Sequence, residues 1–254
     1  MILELDKISK NFGGVEAIKE TSFGVKRGEI FGLIGPNGAG KTTMFNIITG
    51  AYKPSKGEIK FDGVILNSIK PNKIVNLGIA RTFQNIRLFG SLSVVENVLI
   101  GLNQSTKYSF LEACFHLGRF AKAEKLAKER AMAILERLGI VRYANEFAKN
   151  LSYGTQRKVE IARALATNPK LLLLDEPAAG MNPSESDELA NLIFDLRASD
   201  GLSILLIEHD MKFVNHLCDR VLVLDYGRVI FTGSPSEAIN HKDVISAYLG
   251  DFIQ

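Results

Sequence analysis

The chain has 254 residues, 46% of them hydrophobic and 23% charged, with a net charge of +3. This is ordinary globular usage, long enough to bury a core unaided, and it argues against bulk disorder, collagen-like repeats and a disulfide scaffold. The charge is too small to point to nucleic acid, Cys114 and Cys218 share no ligand-type spacing, and no stretch approaches the roughly 20 apolar residues of a membrane-spanning helix.

The N-terminus, Met1-Ile2-Leu3-Glu4-Leu5-Asp6, alternates apolar with acidic residues. It reads as a strand and not as a signal peptide, so the expectation is a soluble, cytoplasmic chain. Phe23-Gly24-Val25 reads as another strand. Ile30 to Ile34 is apolar on both faces, as a buried strand would be. The run Gly35-Pro36-Asn37-Gly38-Ala39-Gly40-Lys41-Thr42 follows, then a helix from about Thr42 to Thr49 that Gly50 can end.

That run fits G-x-x-x-x-G-K-[ST]. Its glycines let successive backbone N–H groups face one anion, and the following helix adds its positive end. Lys41 can reach β- and γ-phosphates, and the Thr42 hydroxyl can ligate Mg²⁺. The predicted nucleotide-binding segment is therefore Gly35 to Thr42, with Thr43 next in the helix.

Gly57 to Phe61 and Ile79 to Phe83 read as strands. Ser93-Val94-Val95-Glu96 fits a capping box, opening a helix to about Leu102. Gln104 to Phe120 reads as irregular and partly aromatic. An amphipathic helix from about Ala121 to Leu138 follows, ended by Gly139. From Lys170 strands and helices alternate: Leu171 to Leu174, Ser184 to Ala198, Ser203 to Ile207, Met211 to Leu217, Arg220 to Leu224, and, after a turn at Gly227, Val229 to Thr232. This rhythm predicts an α/β domain around a mostly parallel sheet, with a helical subdomain inserted into it.

Leu171-Leu172-Leu173-Leu174-Asp175-Glu176 puts two carboxylates at the C-terminal end of a buried strand, the edge where open α/β sheets bind ligands. Asp175 can hold Mg²⁺, and Glu176 can address an attacking water.

With these two motifs, the chain resembles the ATP-binding subunit of an ATP-binding-cassette transporter over nearly its whole length. Leu151-Ser152-Tyr153-Gly154-Thr155 stands where that family carries its signature, usually Leu-Ser-Gly-Gly-Gln. A helix with Arg157, Lys158, Arg163 and Ala164 follows it. Gln84 matches the glutamine that links core to helical subdomain and joins the metal site. His209 matches the switch histidine, Ala179-Gly180-Met181-Asn182 the loop that crosses to the partner subunit, and Phe12 the aromatic that stacks on adenine. Tyr153 and Thr155 depart from the usual signature, and Asn182 from the commoner aspartate. Arg81-Thr82-Phe83-Gln84, Glu176-Pro177-Ala178-Ala179-Gly180 and Ala247-Tyr248-Leu249-Gly250 narrow the resemblance to branched-chain amino-acid importers, and Gln104 to Ala121 to their longer ATPase subunit.

The resemblance implies a P-loop NTPase cassette: one domain, 1–254, in which 1–84 and 170–254 form the catalytic core with an antiparallel β subdomain, and 85–169 the helical subdomain. It implies ATP and Mg²⁺, with Glu176, His209 and Gln84 in hydrolysis and Ser152, Tyr153, Gly154 and Thr155 acting on the nucleotide of a second ATPase subunit, identical or paralogous. It further implies transmembrane permease subunits, indirectly a substrate-binding protein, no nucleic acid, and a peripheral place on the cytoplasmic face of the inner membrane. The docking face would be Gln84 to Lys149, where Leu88-Phe89 and Phe110-Leu111 are apolar. Urea import, lipopolysaccharide export and a non-transport cassette ATPase remain alternatives.

Overall fold

The computed structural model describes residues 1–102 and 118–250. Its strands are β1 (Leu3–Phe12), β2 (Val15–Val25), β3 (Ile30–Ile34), β4 (Lys56–Phe61), β5 (Val64–Ile65), β6 (Ile79–Arg81), β7 (Leu171–Asp175), β8 (Ser203–Ile207), β9 (Arg220–Asp225) and β10 (Arg228–Gly233). Its helices are α1 (Lys41–Ile48), α2 (Pro71–Leu77), α3 (Val94–Leu102), α4 (Gly118–Arg137), α5 (Tyr153–Ala166), α6 (Pro183–Asp200), α7 (Met211–Leu217), α8 (Pro235–Asn240) and α9 (Lys242–Gly250). Two compact units result: Met1–Gln84 with Lys170–Gln254, and Asn85–Pro169.

The first unit holds two sheets. An antiparallel sheet runs in the order β2-β1-β4-β5, and a six-stranded sheet in the order β10-β9-β3-β8-β7-β6. In the larger sheet β9, β3, β8, β7 and β6 are parallel and only β10 is antiparallel. All five residues of β3, of β7 and of β8 are buried, which is why these strands read as unbroken apolar runs. One apolar cluster joins both sheets through α1: Leu3 and Ile8, Phe31 and Leu33, and Met44 and Phe45 belong to it.

The second unit packs α3, α4 and α5 with two single helical turns, Val141–Tyr143 and Ala148–Asn150. Gly101 of α3 lies so close to α5 that a Cβ there would stand 2.4 Å from the Arg163 carbonyl oxygen. The Ser93–Glu96 capping box forms as predicted: the Ser93 N–H and hydroxyl donate to Glu96, whose own N–H donates to Ser93 Oγ. Among the described residues no helix is long and apolar enough to cross a membrane.

Several boundaries differ from the sequence reading. Ile79 to Phe83 is a strand only to Arg81: the Thr82 N–H still donates to the Leu173 carbonyl at 2.9 Å, but the Asp175 N–H is met by the Thr82 hydroxyl and not by backbone. Residues 118–120, read as irregular, already belong to α4; the rest of the irregular stretch, 104–117, lies outside the described residues. Short α2 and α8 were not foreseen, although Pro71 opens the one and a Ser234–Glu237 capping box the other.

Candidate active site

Parallel pairing assembles the site. Leu33 of β3 pairs with Ile207 of β8, which pairs with Asp175 of β7. Three strands therefore end side by side, and the segments that leave them carry the phosphate loop, Glu208-His209 and Asp175-Glu176.

The loop Gly35 to Gly40 turns sharply into α1. Gly35 has φ +142°, and a Cβ there would stand 2.0 Å from the Leu224 carbonyl oxygen, so only glycine fits. Lys41 is buried and lies back across the loop, its Nζ donating to the carbonyl oxygens of Gly35 at 2.7 Å and Pro36 at 2.8 Å. Thr42 is exposed and Thr43 half-buried on the first turn of α1.

Asp175 is 3% exposed, and its Oδ2 accepts from Arg81 Nη2 at 2.8 Å. The other arm of the same guanidinium donates to Asn46 Oδ1 at 2.7 Å. Asn46 stands one turn beyond Thr42 on α1, so Arg81 fastens the Thr42 face of the helix to the buried carboxylate. The Arg81 guanidinium also lies 5.4 Å from the Phe45 ring and 5.2 Å from that of Phe83. The thiol of Cys218, against Gly32 of β3, is pushed up by burial.

Glu176 has φ +46°, uncommon for a residue with a side chain. Its Oε2 accepts from Gln84 Nε2 at 2.8 Å and stands 3.9 Å from His209 Nδ1. Glu176 is largely covered, whereas the His209 side chain is 59% exposed. The helix after His209 is capped by Asp210, which accepts from the N–H groups of Lys212 and Phe213, so His209 is not itself the cap.

The structure thus brings Gln84, Glu176 and His209 together beside the strand edge that carries Asp175 and the phosphate loop. Phe12 belongs to the antiparallel sheet, 41% exposed, edge-on to Tyr52 at 5.2 Å, with Lys10 Nζ 4.9 Å from its ring centre. The signature residues belong to the second unit. Ser152 caps α5, accepting from the Thr155 N–H and bonding the Thr155 hydroxyl at 2.9 Å. Tyr153 is exposed, and its hydroxyl accepts from Arg157, a fully buried residue paired with Glu160. Gly154 is buried on the first turn. Of the apolar docking candidates, Leu88 is half-buried and Phe89 exposed, while Phe110 and Leu111 lie outside the described residues.

Sequence reasoning missed the work of Arg81, Asn46 and Glu208. Arg81 was visible as a cation closing an apolar strand and opening the run to Gln84, not as a bridge. Glu208 was visible as a carboxylate continuing one.

The residues that the resemblance assigns to a metal, Thr42, Asp175 and Gln84, offer oxygen atoms and no imidazole or thiolate, the chemistry that suits a hard cation of the Mg²⁺ type.

The ABC transporter family model matches residues 18–179. The high-affinity branched-chain amino acid transport ATP-binding protein LivG of Salmonella typhimurium is 44% identical over 98% of both chains. The corresponding protein BraF of Pseudomonas aeruginosa is 42% identical over the same shares. Among solved structures, the ADP conformation of MJ1267, an ATP-binding cassette of an ABC transporter, superposes with a TM-score of 0.86 at 34% identity, covering 98% of each chain. The dimeric post-hydrolysis structure of the cassette MJ0796, bound to ADP and Pi, gives a TM-score of 0.77 at 27% identity over 92% of this chain and 98% of that one.

Proposed function

The chain belongs to the ABC transporter family, and from that premise we propose that it is the ATP-hydrolysing subunit of a membrane transporter importing branched-chain amino acids. One observation carries the reading: Gln84 and His209 converge on Glu176 at the phosphate-loop edge, in a chain alignable over 98% of its length with branched-chain transport ATPases.

In this reading the N–H groups of Gly35 to Thr43 and the Lys41 ammonium hold the phosphates, and Lys41 exchanges its two carbonyl partners for phosphate oxygens. Phosphoryl transfer needs positioning and charge neutralisation more than covalent chemistry. Glu176 accepts the proton of the attacking water, Gln84 fixes the Glu176 carboxylate, and His209 faces the γ-phosphate. Thr42, Asp175 and Gln84 would hold Mg²⁺, which would supply neutralising charge for the phosphates. Phe12 stacks on adenine.

Ser152, Tyr153, Gly154 and Thr155 serve the nucleotide of a second ATPase subunit, a copy or a paralogue, so that ATP clamps two subunits and hydrolysis releases them. Residues 1–84 and 170–254 act as the catalytic core, and the helical unit docks on permease subunits through Gln84 to Lys149. A substrate-binding protein acts on the far side of the membrane, and this chain works at the cytoplasmic face.

The test is reconstitution with the permease subunits and the binding protein. Leucine, isoleucine or valine, delivered by the binding protein, stimulates ATP hydrolysis. Stimulation by urea or by lipid instead overturns the cargo and leaves the motor; an assembled complex that hydrolyses no ATP overturns the motor.

A further inference from the structure

Glu208 follows the last residue of β8 and has no part in the nucleotide chemistry above. It is 1% exposed, a position that strips a carboxylate of hydration unless fixed dipoles replace the water. Here the replacement is chiefly backbone, with the His209 ring nitrogen Nδ1 3.9 Å from Oε2. Oε1 accepts the Ala178 N–H at 2.9 Å, and Oε2 accepts the His209 N–H at 3.1 Å. Burial pushes this carboxyl above its ordinary range, and the N–H groups of Ala178, His209 and Asp210 oppose the rise.

The two anchored amides lie in the segments that carry Glu176 and His209. Ala178 is two residues past Glu176, and His209 follows Glu208 directly. A second tie joins the same segments: the Glu176 N–H donates to the Ile207 carbonyl at 2.9 Å. Glu176 holds a left-handed backbone, a conformation that lasts only where its surroundings enforce it. The loop that follows it borders a cavity of about 460 Å³ lined by Ala179, Gly180, Pro183, His209 and Phe213, with Glu208 in its wall, so that loop is open on one side.

We infer that Glu208 is a positioning residue for hydrolysis: its two carboxylate oxygens clamp the loop after Glu176 to the His209 segment, so that both side chains keep one geometry. The inference rests on the hydrolytic roles proposed for Glu176 and His209.

Glu208→Gln tests it at constant volume. The amide oxygen still accepts one N–H, but the amide nitrogen confronts the other donor, so one arm of the clamp is lost. In the assembled transporter kcat should fall about tenfold, the worth of one good hydrogen bond. ATP affinity of the purified chain, by calorimetry, should stay within about twofold, since the phosphate loop is untouched. In a His209→Ala background the same substitution should add less than its full loss, because only the Glu176 side of the clamp is then left to disturb. Glu208→Asp, which keeps the charge with a shorter reach, should recover part of the rate and serves as well if the glutamine variant folds poorly. An unchanged kcat, an equal loss of affinity and rate, or full additivity with His209→Ala overturns the clamp while leaving the site intact. Wild-type rates in both Glu176→Gln and His209→Ala overturn the reading of the site, and the clamp with it.

Discussion

Gln84 Nε2 donates to Glu176 Oε2 over 2.8 Å, although the two residues are 92 positions apart. The bond joins the end of the first stretch of the core unit to the carboxylate that follows the leucine strand. It occupies one lone pair of Oε2 and so fixes the orientation of the carboxylate.

Glu176→Gln should therefore bind ATP and nearly cease to hydrolyse it, with kcat lower by about a hundredfold or more, the range lost with a general base. Stopped release should leave ATP-trapped dimers. Phosphate release and size exclusion with ATP check both; near-normal turnover without any dimer would remove Glu176 from the chemistry.

Lys41→Ala should weaken ATP binding roughly 10- to 150-fold, the cost of losing charge-assisted hydrogen bonds to the phosphates. Isothermal calorimetry with magnesium present measures it, and circular dichroism confirms the fold. Wild-type affinity in a folded variant sinks the phosphate-loop assignment.

Arg81→Met leaves the Asp175 carboxylate buried without its cation; the two side chains are 10% and 4% exposed. Removing one partner of such a pair costs roughly 3–5 kcal/mol, and urea unfolding of the nucleotide-free chain should show a loss of that order. Arg81→Lys should recover only part, because an ammonium cannot span Asn46 and Asp175 as the planar fork does. A loss under about 1 kcal/mol for Arg81→Met would mean that water, not Arg81, compensates Asp175.

ATP hydrolysis by the isolated chain should be indifferent to leucine, isoleucine and valine. A ligand shifts an equilibrium only by binding its states unequally, and the cargo in this reading meets other subunits. Direct stimulation of the lone chain by leucine overturns that division of labour.

The local chemistry was legible in the residues themselves. Glycine spacing and the lysine at its end mark the phosphate loop because few sequences let so many backbone N–H groups face one point. Ile30 to Ile34, Leu171 to Leu174 and Ser203 to Ile207 announced buried parallel strands because both faces of each are apolar. The Ser93–Glu96 cap needed only short-range spacing.

What depends on residues distant in the chain could not be read that way. Nothing near Arg81 in sequence shows that its guanidinium would bridge Asn46 on α1 and Asp175 on β7. Nor does anything near Glu208 reveal that it would hold the Ala178 amide, 30 residues away. Both carboxylates follow or end apolar strands, and neither sequence neighbourhood shows which group meets the charge. The sheet order β3-β8-β7 decides it, because parallel register brings the ends of these strands into one buried edge. There a charge without water must be met by another group, and only the tertiary fold determines which group is within reach.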